Sequence, residues 1–399
     1  MKLIVHIGTE KTGTSSIQNA LFENKALLLE KGFYFSQCAG SRNNIQFPLS
    51  CMQYDREDED YYFTNNGIAT SQQRAQYYNE LKKKFEDEVS ALTDIHTVII
   101  SSEHFHSLLV DEQEVKTFKD LLGDMFSSIK IVCYLREQVA TCISHYSTRI
   151  KTGDSDDLST FIKRCTPQNP YYNYLDLLDR WSAVFGKSNL IVGLFDKRTL
   201  RNNDIVDDFF YTIKFDTSHS KFIRSKKTNQ SLNYTGQCLL KAINREQTIK
   251  KPLNPTINEF IHTQFAGKGE DVDEATYLKL FQQFEVINTQ VASKYFNKQI
   301  PLFTPCLPKK SCETENVENV INEVLPLIRL LLYSTIEDCY ADICRDTAIR
   351  FENIEIDTAY KLMNLAHKIR PTGPTIKNKL QRYRGLIHES AKLKSKVKL

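Results

Sequence analysis

A short segment near the start of the chain, Gly8–Ser16, combines the residue types that bind an anion. It follows an apolar run and precedes an apolar-periodic one, which predicts a strand, a turn and the first turn of a helix. Backbone N–H groups and the helix dipole attract an anion at such a turn. Lys11 adds a full positive charge. The segment predicts an anion cradle formed by Lys11, Thr12, Gly13, Thr14, Ser15 and Ser16.

The elements that must position this cradle alternate between strands and helices. Strands are predicted at 2–7, 32–35, 96–101, 129–135 and 189–195, with helices at 71–92, 111–126, 137–150, 171–185 and 205–211 between or after them. This alternation predicts an α/β fold with a central parallel sheet flanked by helices.

Three polar clusters follow predicted strands, at 8–16, 102–106 and 136–144. Ligands of parallel sheets bind beyond the carboxyl ends of the strands. The three clusters are therefore expected to form one site.

The back half of the chain is predicted to be mainly helical, with helices at 232–246, 274–295, 317–349 and 357–369. Prolines near residue 305 mark a linker. Residues 368–399 carry ten Lys and Arg against one Glu, whereas the rest of the chain is slightly acidic. We expect an α/β domain over 1–300 with an insertion at 38–95, a helical extension over 306–370, and a solvated basic tail over 371–399.

Bulk properties favour a globular protein. Hydrophobic residues make up 41% of the 399 residues and charged residues 25%, and no apolar run reaches the roughly 20 residues of a membrane span. The first apolar segment is too short for a secretory signal, which predicts a cytoplasmic protein. The ten cysteines show no C-x-x-C pair or zinc spacing, so buried reduced thiols are expected.

The cradle differs from a Walker A loop, in which Lys follows the second Gly. Here Gly8 and Gly13 have the Walker spacing, but Thr14 follows Gly13 and the lysine comes earlier. The segment HIGTEKTGTSSIQ instead resembles the 5′-phosphosulfate loop of sulfotransferases that use 3′-phosphoadenosine 5′-phosphosulfate (PAPS). That family's Lys-[Ser/Thr]-Gly-Thr-[Ser/Thr] pattern matches residues 11–15, and the bacterial carbohydrate-type branch is the most similar.

A second motif agrees with this resemblance. The family binds the 3′-phosphate of PAPS with an Arg at a strand end and a Ser eight residues later. Arg136 and Ser144 have this spacing, and Arg136 follows the strand at 129–135. A guanidinium and a hydroxyl suit phosphate oxygens. The resemblance implies a three-layer P-loop-type fold over roughly the first 300 residues, and a basic loop at 224–232 that closes over the nucleotide.

The resemblance also implies roles for the site residues. Transfer of a sulfuryl group needs a cation at the leaving oxygen, which Lys11 would provide, and a base for the acceptor hydroxyl. Glu103 is the first candidate base, with His104 and His106 as alternatives and Glu10 as a third. PAPS would be the co-substrate and adenosine 3′,5′-bisphosphate the product. Fixed cations could neutralise the charge, so no metal is required.

The acceptor implied by the resemblance is a hydroxyl of a carbohydrate or glycolipid, bound beside the 38–70 loop. The basic tail is a candidate contact for an anionic membrane or polyanion, and no nucleic-acid partner is expected. Two other functions stay open. The chain could be a phosphotransferase that uses ATP and Mg²⁺, or a non-catalytic nucleotide-binding scaffold.

Overall fold

A computed structural model of the chain describes residues 1–53, 62–63, 66–224, 231–246, 255–298, 301–308 and 337–396. The described chain divides into two compact units. The first unit comprises residues 1–145, 162–228 and 273–308. The second unit comprises residues 146–161, 229–272 and 309–399. The domain boundaries predicted near residues 300 and 370 stay predictions.

The first unit is organised around a sheet whose five described strands pair in parallel. The strands are β1 (Lys2–His6), β2 (Phe33–Phe35), β3 (Thr97–Ser101), β4 (Ser128–Leu135) and β5 (Leu190–Leu194). Their order is β2-β3-β1-β4-β5. The three strands that precede the polar clusters, β3, β1 and β4, are therefore neighbours.

Both faces of the sheet are buried. Alternate side chains of a strand point to opposite faces. On one face, Val5 of β1 belongs to an apolar cluster with Trp181. On the other face, Val132 of β4 belongs to a second cluster with Phe209. Apolar residues therefore dominate these strands, as is usual for parallel sheets covered by helices. This arrangement confirms the predicted three-layer P-loop-type α/β fold.

The described helices surround the sheet or form the second unit. In chain order they are α1 (Thr14–Glu23), α2 (Lys25–Glu30), α3 (Gln46–Cys51), α4 (Ser71–Ser90), α5 (His104–Leu108), α6 (Glu112–Leu122), α7 (Gln138–Lys151), α8 (Leu158–Phe161), α9 (Tyr174–Phe185), α10 (Ile205–Thr212), α11 (Tyr234–Glu246), α12 (Pro255–Gln264), α13 (Glu274–Gln283), α14 (Glu285–Phe296), α15 (Glu337–Phe351), α16 (Ile356–Ile369) and α17 (Pro374–Lys396). Among them, none is both long and apolar enough to cross a membrane.

Helix boundaries follow local capping. Helix α9 begins at Tyr174 rather than at 171, because the Asn173 side chain accepts a hydrogen bond from the backbone of Asp176. Helix α6 ends at Leu122, where Gly123 adopts a φ of 53°, so the prediction of a helix to residue 126 was too long. The predicted helix over 274–295 is two helices separated at Phe284.

The C-terminal basic segment differs from the expected solvated tail. Residues 374–396 form helix α17, in which Ile376, Leu380 and Tyr383 are buried. The Tyr383 hydroxyl donates to Glu352 at 2.8 Å, and Lys379 pairs with the same carboxylate at 2.6 Å. The apolar residues recur at helical spacing, but the many Lys and Arg residues dominate the composition and hide this pattern. Residues 317–336 of the predicted helix over 317–349 lie outside the described residues.

Candidate functional site

The anion cradle begins as a continuation of β1 along β4. The backbone N–H of Ile7 donates to Val132 at 3.0 Å, and that of Thr9 donates to Tyr134 at 2.9 Å. The chain then turns through Lys11 and Gly13, whose φ angles are 66° and 77°, and enters helix α1 at Thr14. A lysine in this left-handed region is uncommon. The lysine thus lies in a tight turn directly before a helix N-terminus.

Two glycines let this turn pack tightly. A Cβ atom on Gly8, whose φ is 100°, would lie 3.2 Å from the Cα of Glu103. A Cβ on Gly13 would lie 3.0 Å from a methyl of Ile205. Side chains at either position would push the cradle away from its neighbours. The first glycine thus brings the cradle against the end of β3.

The hydroxyl residues of the cradle do not all face a ligand. Thr12 is buried, and its hydroxyl donates to the Thr9 carbonyl at 2.6 Å, which braces the turn. Ser16 donates its backbone N–H to Gly13 at 2.9 Å as the first turn of α1 closes. The N–H groups of Thr14 and Ser15 have no partner within the helix, as at any helix start. These groups are suited to an anion.

Arg136 joins the cradle to the end of β4. Its guanidinium donates to the carbonyl of Lys11 at 3.0 Å and lies over the ring of Phe195, 5.7 Å from its centroid. Burial lowers the pKa of Arg136, because water is excluded from its charge. A half-buried cation whose hydrogen bond goes to a neutral carbonyl is a favourable place for a ligand anion.

Helix α7 follows Arg136 and contains Ser144. The helix is capped by Glu137, whose carboxylate accepts the backbone N–H groups of Val139 at 2.7 Å and Ala140 at 2.9 Å. Burial raises the pKa of Glu137. Ser144 lies two turns further along and is half-buried, so its proposed role beside Arg136 stays a prediction.

Glu103 follows β3 and faces the cradle. One of its oxygens, Oε2, accepts hydrogen bonds from Gln18 at 2.6 Å and Asn43 at 3.0 Å. The side chain does not cap helix α5, which argues against a purely helix-capping role. Gln18 belongs to α1, while Asn43 belongs to the segment predicted to lie on the acceptor side. Glu103 therefore connects the cradle helix to that segment.

His104 and His106 lie in different environments. His104 is partly exposed, and its Nδ1 lies 3.9 Å from Glu10 Oε1. His106 is buried, with Nδ1 3.3 Å from the backbone nitrogen of Glu10 and Nε2 2.9 Å from the carbonyl of Tyr171. Burial lowers the pKa of His106 to about 3. Both ring nitrogens of His106 are thus engaged by the backbone, and the ring is neutral.

Four site residues were not singled out from the sequence. Gln18 and Asn43 bind Glu103, Tyr171 donates its hydroxyl to Glu10 at 2.9 Å, and His145 stacks on Tyr171 at a centroid distance of 4.6 Å. Tyr171 and His145 are distant from the cradle in sequence, and only the fold brings them to it. The position of His145 directly after Ser144 was the one available signal.

Other predicted features are covered in part. Arg224, at the start of the predicted closing loop, pairs with Asp207 at 2.7 Å, while residues 225–230 of that loop lie outside the described residues. In the part of the chain that the structure describes, no group of three or more His, Cys, Asp or Glu side chains could hold a metal ion. Eight described cysteines form no disulfide: Cys38, Cys51, Cys133, Cys142, Cys165, Cys238, Cys306 and Cys344.

Comparisons with known proteins give limited similarity. No protein-family model matches the chain. An uncharacterized protein of Archaeoglobus fulgidus is 26% identical over 203 residues, or 50% of this chain and 54% of that protein. The chain thus spans about half the length of this curated relative. The crystal structure of a sulfotransferase from Alicyclobacillus acidocaldarius is 16% identical and matches 57% of this chain and 85% of its own, with a TM-score of 0.37. At this TM-score the similarity supports no conclusion about the fold or function of this chain.

Proposed function

We propose that the chain is a sulfotransferase that transfers the sulfuryl group of PAPS to a hydroxyl of a carbohydrate acceptor. The observation that carries this proposal is the hydrogen bond from Arg136 to the Lys11 carbonyl, at 3.0 Å. It joins the two motifs that would hold the two phosphate ends of PAPS. These motifs lie 125 residues apart in sequence, yet they meet where β1 and β4 end.

The residues at this edge suit such a ligand. The tight turn at Gly8 and Gly13, the N–H groups at the start of α1 and the side chain of Lys11 would hold the 5′-phosphosulfate. Arg136, with Ser144 further along α7, would hold the 3′-phosphate. When bound, PAPS supplies a sulfuryl group on a leaving phosphate.

The chemistry assigned to the chain's own residues is electrostatic. Charge develops on the bridging oxygen as the sulfuryl group leaves, as in phosphoryl transfer. The ammonium of Lys11 would stabilise that charge. Glu103 and His104 both follow β3 beside the cradle, so either could accept the proton of an attacking hydroxyl.

The acceptor side supports a hydroxyl-rich substrate. Asn43 and Gln18 present amides next to Glu103, and amides and carboxylates are the groups that bind sugar hydroxyls. Polysaccharides and glycolipids both offer such hydroxyls. We further propose that the protein acts in the cytoplasm, and that the exposed basic residues of α17, Lys377 and Arg382 among them, contact an anionic membrane or polyanion.

The experiment that tests the function uses ³⁵S-labelled PAPS and a mixture of neutral and acidic polysaccharides and glycolipids. We expect label in the acceptor fraction with the wild-type protein and none with Lys11→Ala. Transfer of phosphate from labelled ATP would support the phosphotransferase instead. Binding of the nucleotide without any transfer would support the scaffold.

The membrane contact has its own test. Binding to vesicles that contain an anionic lipid should weaken when Lys377 and Arg382 are replaced by Ser, and it should not change for neutral vesicles. Equal binding by wild-type and variant proteins would contradict this contact. Both side chains are exposed, so the fold of α17 should be kept.

A further inference from the structure

We propose that His104 is the base of the transfer reaction and that Tyr171, Glu10 and His106 are positioning residues that hold it, while Glu103 orders the acceptor-side segment. This inference rests on the proposed function. It follows from a chain of contacts that runs from Tyr171 to His104 through Glu10, the residue that precedes Lys11 in the cradle.

Glu10 is fixed at both its backbone and its side chain. Its backbone nitrogen lies 3.3 Å from Nδ1 of His106, and its Oε2 accepts the Tyr171 hydroxyl at 2.9 Å. The Glu10 side chain is only 18% exposed. One carboxylate oxygen, Oε1, is directed toward His104. A carboxylate held in this way can select the orientation of a neighbouring imidazole.

His106 acts as a rigid spacer between Glu10 and Tyr171. The buried ring accepts from the Glu10 N–H at Nδ1 and donates from Nε2 to the Tyr171 carbonyl at 2.9 Å. This pattern requires one tautomer of a neutral imidazole. The Tyr171 ring also stacks on His145 with an interplanar angle of 19°. Tyr171 is therefore held from two sides.

In the described part of the chain, no hydrogen bond engages Nε2 of His104. Its Nδ1 faces Glu10 Oε1 at 3.9 Å, and its side chain is 32% exposed. The separation is longer than a hydrogen bond, but catalytic pairs are often loose without substrate. With the proton on Nδ1, the lone pair of Nε2 can accept a proton. Imidazolium formation would then be stabilised by the Glu10 carboxylate.

Glu103 is suited to a different task. Its Oε2 already accepts from Gln18 and Asn43. These bonds tie the acceptor-side segment to helix α1. The carboxylate therefore positions the acceptor.

In the proposed transfer, one bond to sulfur forms as another breaks. The acceptor oxygen forms a bond to sulfur as the bond between sulfur and the bridging phosphate oxygen breaks. The hydroxyl proton moves to His104 Nε2, and the electron pair of the broken bond stays on the bisphosphate beside Lys11. The products are a sulfate ester, adenosine 3′,5′-bisphosphate and a protonated imidazole.

The first test needs no activity. Nitrogen-15 NMR of the full chain reports which ring nitrogen of His104 carries the proton. We expect the Nδ1–H tautomer in the wild-type protein and a shift toward Nε2–H in Glu10→Gln, whose amide presents a weaker acceptor. Tyr172→Phe is the matched control, because its hydroxyl interacts with Cys142 rather than Glu10, and it should leave the tautomer unchanged. An Nε2–H tautomer in the wild-type protein would overturn the inference.

The second test uses the labelled-PAPS transfer assay. His104→Ala should lower kcat by about 10²–10⁴-fold, the usual contribution of a general base, and added imidazole should restore part of it. Glu10→Gln should lower kcat by about tenfold or more without raising KM for PAPS. Glu10 is proposed to act only through His104. Adding Glu10→Gln to His104→Ala should therefore lower kcat no further than His104→Ala alone. Glu103→Gln should instead mainly raise the acceptor KM.

The failures can be told apart. If the wild-type protein transfers no sulfate but shows the Nδ1–H tautomer, the proposed function fails while the geometry around His104 stands. If transfer occurs and Glu103→Gln lowers kcat more than His104→Ala, Glu103 is the base and the inference is wrong. Additive losses in the double variant would also contradict it.

Discussion

Replacing Arg136 by Ala should weaken the binding of adenosine 3′,5′-bisphosphate strongly. The Arg136 side chain is half-buried, and its guanidinium donates to the Lys11 carbonyl at 3.0 Å. Loss of a charge-assisted bond to phosphate costs about 1.5–3 kcal/mol, and loss of the bond to the cradle costs about 0.5–1.5 kcal/mol. The sum is about 2–4.5 kcal/mol, which corresponds to a rise in Kd of roughly 30- to 2000-fold.

Isothermal titration calorimetry with the bisphosphate measures this change. Arg136→Lys should give an intermediate loss of about tenfold, because it keeps the charge but not the planar pair of donors. Arg149→Ala is a control, since this arginine lies in the last turn of α7, the helix that follows Arg136, and pairs with Asp154 at 3.3 Å. If Arg136→Ala binds the bisphosphate within about twofold of the wild-type protein, the assignment of Arg136 is wrong.

Three further predictions concern the cradle and its buried histidines. Lys11→Ala should lower transfer by at least about 10²-fold but keep the calorimetric Kd for bisphosphate within about threefold, because the carbonyl bound by Arg136 remains. Gly13→Ala should lower the free energy of unfolding in urea by about 1–2 kcal/mol and weaken bisphosphate binding, because the new methyl would lie 3.0 Å from Ile205. Gly123→Ala is the control: its methyl would meet nothing within 4 Å, so bisphosphate binding should be unchanged. Burial lowers the pKa of His6 and of His106 to about 3, so the unfolded chain binds more protons between pH 6.5 and 3 and stability should fall as pH drops through that range. Between pH 6.5 and pH 5, each histidine should lower the free energy of unfolding by up to about 2 kcal/mol. In urea unfolding at these two pH values, His106→Gln should therefore lose less stability than the wild-type protein.

The sheet was predictable because its strands carry a strong signal. Runs such as Val98–Ile100 are apolar throughout, as both faces of the sheet are covered. The sequence order of strands and helices also placed the three polar clusters at one edge. Boundaries were less accurate where single residues decide them, as Asn173 and Gly123 do for helices α9 and α6.

The partners within the site were not predictable to the same degree. The positions of Lys11 and Glu103 follow from strand ends, which a sequence can locate. Tyr171 reaches Glu10 across 161 residues of sequence, and no periodicity encodes such a contact. Helix α17 was missed for another reason, because its buried face is narrow and its composition is basic.

The measurement that tests the proposed function most directly compares two nucleotides on the wild-type protein. Calorimetry with adenosine 3′,5′-bisphosphate and, separately, with ATP and Mg²⁺ asks whether the site requires the 3′-phosphate that Arg136 is assigned to bind. We predict saturable binding of the bisphosphate and much weaker binding of ATP. Tight binding of ATP with no binding of the bisphosphate would contradict a PAPS-dependent sulfotransferase.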